Sequence, residues 1–404
     1  MLRQTLSNLR RLRYQSDGRK ISEMQILYMA KMLRFFALNL SGGFVLMHIY
    51  KLGYGWAGVI LALILIWSVR TISVFLGGIY VAKNGPKHGI LLSNLLSIPL
   101  LILVGLAKEF GLWAVVLAMI LQGATLGIYN LAYFIDFSRV KKGENASKQI
   151  GWMSVIEKAS GAVAPIVGSW LAVSFGAQSA MFVSAAIYAA SAVPLLATRE
   201  ISKDNFKIDL KSFPYKKHKR NFIAHFWAGA YGVYAAIWGV FVPVFIFSNE
   251  NSYGVIGFLA SLSSAFSIII SIILGKSISE KSGKMVLQGS IVGYTLSILV
   301  AGALVFTKSA AILVNLFFEM FGVGNKISGM KGFFSDADMS KRRIEYFMIY
   351  EGTYILGSIF FASLAGILAL IFGAEAGLRY FMVVSGVLAL GSLVFKYPIY
   401  EKQK

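Results

Sequence analysis

Twelve apolar stretches, each about as long as a membrane-crossing helix, run along this 404-residue chain. A helix needs roughly 20 mostly apolar residues to cross the hydrocarbon core of a bilayer. The sequence therefore predicts an all-α integral membrane protein with twelve transmembrane helices. The predicted helices cover residues 24–49, 56–82, 89–107, 111–137, 149–174, 178–198, 221–247, 253–275, 285–306, 309–330, 344–371 and 376–397.

The composition supports this prediction. The chain is 57% hydrophobic and only 14% charged, whereas soluble domains are about 25% charged. The net charge of +21 raises the question of nucleic acid, but the cations are dispersed in short loops between the apolar stretches. We therefore expect the lipid bilayer, and no nucleic acid, as the partner of this surface. The first 20 residues lack the apolar core of a cleavable signal peptide, so we expect none.

The loops divide the positive charge unequally. If the N-terminus is cytoplasmic, 30 of the 39 Lys and Arg lie in cytoplasmic segments and 4 in outer loops, and the other 5 lie within helices. Positive residues accumulate in cytoplasmic loops. The sequence therefore predicts a multi-pass protein of the cell's inner (plasma) membrane with both termini in the cytoplasm.

A long basic segment divides the twelve predicted helices into two sets of six. Residues 199–220 contain eight Lys and Arg and one proline, and they predict a cytoplasmic linker. Two interpretations of this segment stay open. It is either a solvated tether or a segment whose alternating Phe206, Ile208, Leu210 and Phe213 lie along the membrane surface. The predicted divisions are a basic segment at 1–23, six-helix bundles at 24–198 and 221–397, the linker at 199–220, and a tail at 398–404.

A short hairpin with glycines and lysines occurs once in each predicted bundle. Glycine permits tight turns and close helix approach, and lysine favours the anionic inner leaflet. Gly85 and Gly283 are about half a chain apart, which indicates an internal repeat. The first copy contains Gly78, Lys83, Gly85 and Lys87, and the second contains Glu280, Lys281 and Gly283.

Twelve helices in two halves with this repeated hairpin resemble the major facilitator superfamily. The resemblance implies two pseudo-symmetric six-helix bundles and transport by alternating access. Ala82 stands where the family hairpin has an acid, so the resemblance implies an altered latch in the first half. Asp136 and Arg139, at the end of the fourth helix, are candidates for a substitute.

The fifth helix contains small residues spaced as in a signature of the family's antiporters. Gly151, Pro165 and Gly168 agree with that signature, whereas Ser160 and Ala164 replace glycines. Small residues at this spacing also let membrane helices pack closely. The two interpretations are export by antiport and simple helix packing.

Ionisable residues inside a membrane are costly and usually functional. Arg70 and Glu157 lie at comparable depths in the second and fifth predicted helices. We therefore expect Glu157 to pair with Arg70 or with Arg34, in a structural or a functional ion pair.

The second bundle supplies two more carboxyls. Glu319 lies near the middle of the tenth helix, and Glu351 occupies a position related by the repeat to that of Glu157. Since buried carboxyls can exchange protons near neutral pH, we expect proton coupling at Glu319 and at Glu157 or Glu351. A structural ion pair is the alternative for each.

The seventh helix has an aromatic stripe. Tyr231, Tyr234, Trp238, Phe241 and Phe245 recur every three or four residues. The resemblance implies that helices 1, 4, 7 and 10 line a central cavity, and the aromatic stripe would suit a lipophilic, aromatic or cationic compound. The alternative is a stripe that faces lipid or packs on a neighbouring helix. The expected cavity residues are Arg34, Asn39, Gln122, Tyr129, Tyr133, Tyr231, Tyr234, Trp238 and Asn315.

Signs of an enzyme are missing from the sequence. It contains no phosphate-binding glycine loop and no cysteine. His48, His88, His218 and His225 are far apart, and we expect them at surfaces or interfaces rather than in a metal site. No cofactor, metal or catalytic residue is predicted.

We predict a monomeric secondary active transporter that exports a small lipophilic or aromatic molecule in exchange for protons. Uptake of a nutrient or metabolite by proton symport is one alternative. A membrane scaffold or lipid-handling protein without solute turnover is another.

Overall fold

The computed structural model describes residues 23–140, 146–196, 208–277 and 280–401, apart from some side chains beside the gaps. Within these ranges the protein is all-helical, and twelve long helices, named α1 to α12, form the fold. They are α1 (Glu23–Ile49), α2 (Gly55–Asn84), α3 (Pro86–Gly105), α4 (Leu112–Val140), α5 (Ala146–Phe175), α6 (Ala177–Leu196), α7 (Tyr215–Phe241), α8 (Ser252–Ser277), α9 (Glu280–Leu304), α10 (Lys308–Ser340), α11 (Arg343–Phe372) and α12 (Ala374–Ala389).

The twelve predicted helices correspond one to one with these elements. Ten stretches of the described residues are long and apolar enough to cross a membrane; one of them, Leu27–Asn84, contains both α1 and α2, and α5 is not among them. The largest difference is at α10, which continues ten residues beyond the predicted end at 330. Its start is capped by Thr307, whose side chain accepts a hydrogen bond from the Ala310 N–H at 3.3 Å, a standard way to satisfy a helix N-terminus.

Gly85 forms the turn of the first predicted hairpin. Gly85 ends α2 with φ of +92°, a conformation that side chains with a Cβ rarely adopt. Pro86 then starts α3, where its missing N–H has no cost. Two turns earlier, a Cβ on Gly78 would lie 2.5 Å from the Met348 sulfur of α11. The hairpin therefore lies where the two halves of the molecule meet.

The helices pack as two groups of six, α1–α6 and α7–α12. The main contacts between the groups run along α5 with α8 and along α2 with α11. We call the side of the molecule where α1 begins the termini face and the other side the opposite face. The space between the two groups, bounded by these helix pairs, is where a solute path has to lie.

The described end of the predicted linker is attached to α11. Arg342 donates to the Asp209 carbonyl at 2.6 Å and to the Ser212 hydroxyl at 2.8 Å. The Ser212 hydroxyl and the N–H groups of Ser212 and Lys211 donate to the Asp209 carboxylate. These hydrogen bonds hold the pKa of Asp209 below its ordinary value. Phe206, the first of the alternating apolar residues of the linker, lies outside the described residues.

Candidate functional site

Two chambers lie between the helix groups, with volumes of about 340 and 350 Å³. This is within the roughly 300–1,000 Å³ of small-molecule sites. The inner chamber is nearer the termini face and the outer chamber nearer the opposite face. Lys158, Glu319 and Lys326 line both chambers. The inner chamber is also lined by His225, Tyr231, Tyr294, Glu351 and Tyr354, and the outer one by Asn39, Glu157, Trp238, Ser263 and Asn315.

An ion pair lies at the boundary between the chambers. Lys158 of α5 contacts the Glu319 carboxylate of α10, so the pair joins the two halves. The Ser267 hydroxyl of α8 also donates to Glu319, at 3.2 Å. The side chains of Lys158 and Glu319 are 19% and 28% exposed. Solute or water in either chamber can therefore reach both charges.

A second carboxylate, Glu157, contacts two lysines. One of its oxygens meets Lys31 of α1 and the other meets Lys326 of α10. Lys31 is buried and also lies 3.8 Å above the Tyr133 ring. Lys326 is 34% exposed, and it faces both chambers. Two cations therefore share one anion at the cavity wall.

The third ion pair joins α2 to α11. Arg70 donates to the Glu351 carboxylate at 2.5 Å, and each side chain is only 6% exposed. The Arg70 guanidinium also lies 4.8 Å from the Trp67 ring centre. The predicted pairing of Arg70 with Glu157 is wrong, because Arg70 pairs with Glu351 of the other half. Glu157 instead contacts Lys31 and Lys326.

The alternative pairing of Arg34 with Glu157 is also wrong. Arg34 donates to the Asn94 side chain at 2.5 Å and stacks on Tyr129, 3.6 Å from the ring centre. Asn94 in turn donates to the Ser191 hydroxyl at 2.9 Å. Arg34 is therefore held among α1, α3, α4 and α6, inside the first group of helices, and its positive charge has a neutral amide partner.

The structure brings some of the expected cavity residues to the chambers and not others. Asn39 and Trp238 line the outer chamber, as does Asn315, which donates to the Ser263 hydroxyl at 2.5 Å. Tyr231 lines the inner chamber. The remaining expected cavity residues do not line either chamber. They are Arg34, Gln122, Tyr129, Tyr133 and Tyr234. Only Phe134 represents α4 in the lining, so that helix contributes less than the resemblance implies.

The aromatic stripe of α7 is largely a packing surface. Tyr234 is fully buried and lies 4.7 Å from the Phe318 ring of α10. Tyr231 stacks on Tyr294 of α9 at 4.4 Å, with its hydroxyl 3.0 Å from that of Ser392. The stripe thus fixes one wall of the cavity and presents only part of its surface to a solute.

Aromatic contacts join the two halves on both sides of the chambers. Toward the termini face, Phe134 of α4 lies 5.2 Å from Phe333 of α10. Toward the opposite face, Trp56 of α2 stacks on Phe245 after α7, at 5.8 Å and nearly parallel. Tyr253 of α8 also packs against Phe44 of α1 at 5.6 Å. Both routes from the chambers to a membrane face are therefore bordered by aromatic side chains from both halves.

The hairpin residues lie at the termini face. Lys83 is exposed, whereas Lys87 and Asp136 are buried. In the second hairpin, a Cβ on Gly283 would clash with the Tyr400 ring. The side chains of Glu280, Lys281 and Arg139 lie outside the described residues.

The histidines differ from the prediction. His88 is exposed, but His218 is buried, with its Nδ1 3.0 Å from the Asp336 carboxylate. His225 stacks on Tyr350 at 3.5 Å between ring centres and lines the inner chamber. His48 is buried beside Tyr253. Among the described residues no group of three His, Cys, Asp or Glu is placed to hold a metal ion.

The small residues of α5 have packing partners. A Cβ on Gly168 would collide with the Leu40 carbonyl of α1. A Cβ on Gly257 of α8 would likewise lie too close to Ser169 and to the Pro165 carbonyl. Close packing against α1 and α8 is therefore sufficient to explain these small residues. The surroundings of Gly151 are not among those that the structure describes.

Sequence reasoning missed several chamber residues. Ser263 and Ser267 of α8 contact Asn315 and Glu319, and their spacing of four residues was an available signal of one helical face. Lys158 directly follows Glu157 in the sequence. Its pairing needed knowledge of which helix faces α5.

Comparisons with known proteins agree with the architecture. Residues 27–250, more than half of the chain, match the family model described as Major Facilitator Superfamily. No curated protein sequence matches the chain.

Solved structures similar to this one include two transporters. The human organic anion transporter MFSD10 (TETRAN) has a TM-score of 0.67 at 10% identity, covering 91% of this chain and 98% of that one. The fucose transporter FucP in the outward conformation has a TM-score of 0.65 at 14% identity, covering 91% and 98%. A variant of the E. coli fucose:proton symporter FucP gives 0.63 at 14% identity, covering 91% and 97%. With the family match, the twelve helices and the shared fold, the chain belongs to the major facilitator superfamily of secondary transporters.

Proposed function

We propose that this protein is a proton-coupled transporter of a small organic anion with an aromatic or apolar body. The observation that carries the proposal is the charge balance around the chambers. Three glutamates, Glu157, Glu319 and Glu351, contact four cations, Lys31, Arg70, Lys158 and Lys326. A buried charge without a counterion is costly, so the surplus cation favours binding of an anion.

The surplus cation lies where a solute can meet it. Lys326 and Lys158 line both chambers, and Lys326 shares its only carboxylate partner in the described residues with Lys31. A carboxylate or phosphate on the solute would bind these two lysines by charge-assisted hydrogen bonds. The similar human transporter is described as an organic anion transporter, which supports the same class of solute.

Aromatic side chains give the inner chamber a surface for the body of the solute. Tyr231, Tyr294, Tyr354 and Phe395 line it together with His225. Stacking on such rings adds to the effect of apolar burial. The sequence led us to expect a lipophilic or aromatic compound. The proposal adds a negatively charged group to that compound.

Exchange of ion-pair partners would couple the solute to protons. A bound anion that takes Lys158 leaves Glu319 without its cation. An unpaired carboxylate within the membrane is costly even where a chamber reaches it, so Glu319 then takes up a proton. The loaded state holds both anion and proton, and both move together when the halves reorient.

This coupling favours symport over antiport. Export by antiport relied on the small residues of α5, which close packing explains equally well. The E. coli protein of similar fold is described as a fucose:proton symporter. We therefore place proton symport first and keep proton-coupled export as the second candidate.

Proton movement in proteoliposomes tests the proposal. Purified protein is reconstituted with a pH-sensitive dye inside and given an aromatic carboxylate, an aromatic amine or a neutral aromatic compound. We expect only the carboxylate to move protons into the vesicle with it. Proton flux opposite to the solute would favour antiport. Movement of the amine alone would contradict the anion site, and no flux with any compound would favour the scaffold or lipid-handling alternative.

The membrane orientation is proposed with the function. The charge distribution of the loops supports both termini in the cytoplasm, and we propose a monomer in the inner membrane. The chain has no cysteine, so single substitutions such as Lys217→Cys and Lys308→Cys give unambiguous labels. A membrane-impermeant thiol reagent applied to intact cells should label position 308 and spare position 217. The reverse pattern would overturn the orientation.

A further inference from the structure

A cleft between α7 and α11 opens on the outer surface of the molecule at the termini face. Its volume is about 500 Å³, and it lies apart from both transport chambers. Its wall contains Lys216, Lys219, Ile223, Phe226 and Trp227 from α7 and Thr353 from α11. Apart from the lysines at one end and the small Thr353 side chain, the surface is aliphatic or aromatic.

The depth of the cleft matches one leaflet of a bilayer. Lys216 and Trp227 are eleven residues apart on α7, which is roughly 16 Å along a helix, and half of a hydrocarbon core is about 15 Å. The cleft ends where the two helices touch, because a Cβ on Gly229 would lie only 2.6 Å from the Ser358 nitrogen of α11. It therefore reaches from the start of α7 to about the middle of the membrane.

The two lysines stand at the mouth of the cleft. Lys216 and Lys219 are exposed in the first turns of α7, and their spacing of three residues puts them on one face of the helix. Neither makes an ion pair with another described residue. The half-exposed Ile223 continues the same face one turn deeper. The cleft is thus cationic at headgroup level and apolar below it.

We propose that this cleft binds one anionic phospholipid. The lipid phosphate contacts Lys216 and Lys219, and one acyl chain lies along Ile223 and Phe226 toward Thr353. Lysines near a membrane surface attract anionic lipids, and the apolar wall suits an acyl chain. The match in depth, and the opening of the cleft toward the bilayer, favour a lipid over a protein segment.

Native mass spectrometry of the full-length protein tests the site. The protein is titrated with phosphatidylglycerol or phosphatidylcholine, and bound lipids are counted. We expect one tight phosphatidylglycerol site, weakened roughly tenfold in Lys216→Gln/Lys219→Gln. Thr353→Phe, which fills the apolar end without changing charge, should also weaken binding.

Lys211→Gln/Lys217→Gln is the matched control, because both lysines are exposed near the same face and neither lines the cleft. This control should bind phosphatidylglycerol like the wild type. Equal loss in the control and in the cleft variant would mean general attraction to a basic surface and would overturn the site. Equal binding of the two lipids by the wild type would overturn it as well.

Discussion

Two ion pairs that join the same two halves differ mainly in their access to water. Arg70 and Glu351 are each 6% exposed, whereas Lys158 and Glu319 are 19% and 28% exposed and line both chambers. A buried pair cannot lose one partner without leaving an uncompensated charge. A pair reached from a chamber can exchange its partner for a solute or a proton. We therefore propose a structural role for Arg70 and Glu351 and a coupling role for Lys158 and Glu319.

The largest expected effect is on the buried pair. Glu351→Gln leaves the Arg70 guanidinium buried without a counterion, and we expect a loss of about 3–5 kcal/mol in the free energy of unfolding. Unfolding of purified protein by denaturant measures it.

The double variant Arg70→Met/Glu351→Leu is the control for this effect. Replacing both partners of a buried pair by apolar groups is often nearly neutral, so most of the lost stability should return. A double variant as unstable as the single one would show that the contact, and not the buried charge, matters.

The next largest effect is expected at the accessible pair. Lys158→Met leaves Glu319 without its cation, so the carboxyl stays protonated and the solute no longer drives proton exchange. Coupling free energies between ligands are about 1–3 kcal/mol, or roughly 5–150-fold in affinity. We expect the wild-type dependence of solute affinity on pH, measured in binding assays between pH 5.5 and 7.5, to disappear. A preserved dependence would place the proton at another group, with His225 and Glu157 the nearest candidates.

A smaller effect is expected from the surplus cation. Lys326→Gln leaves Glu157 paired with Lys31, so the protein should remain stable. Affinity for an aromatic carboxylate should fall about tenfold, or ~1.4 kcal/mol, and affinity for the matching neutral alcohol should not change. Competition binding measures both. An equal loss for the alcohol would mean that Lys326 shapes the chamber and does not bind charge.

The smallest effect is expected at an exposed pair away from the chambers. Lys308 contacts Glu250 at 2.6 Å, but the two side chains are 50% and 46% exposed. Exposed pairs contribute about 0–1 kcal/mol, so Lys308→Gln should leave stability and transport near wild type. A large change in thermal unfolding would mean that exposure does not separate the pairs in this protein.

The sequence predicted the helices well because hydropathy is a local property. All twelve helices occur near their predicted positions, and Gly85 makes the expected turn. The spacing of Asn315, Glu319 and Lys326 by four and seven residues indicates one face of α10, and the structure brings all three to the outer chamber.

The partners of the charges were not predictable in the same way. Helix length and residue count predict the depth of a charge in the membrane, and they predicted comparable depths for Arg70 and Glu157. Depth does not say which helix lies opposite, and Arg70 meets Glu351 from the other half. Likewise, periodicity found the aromatic face of α7 but not that Tyr234 packs against Phe318 behind the chamber wall.

Solute accumulation and solute exchange, measured side by side with Glu319→Gln, test the central claim most directly. Proteoliposomes are given a radiolabelled aromatic carboxylate, either with an inward proton gradient or with unlabelled solute inside and no gradient. We predict that the variant exchanges solute but loses gradient-driven accumulation, while Lys308→Gln retains both. Accumulation by Glu319→Gln at the wild-type level would contradict the assignment of the accessible pair as the coupling site.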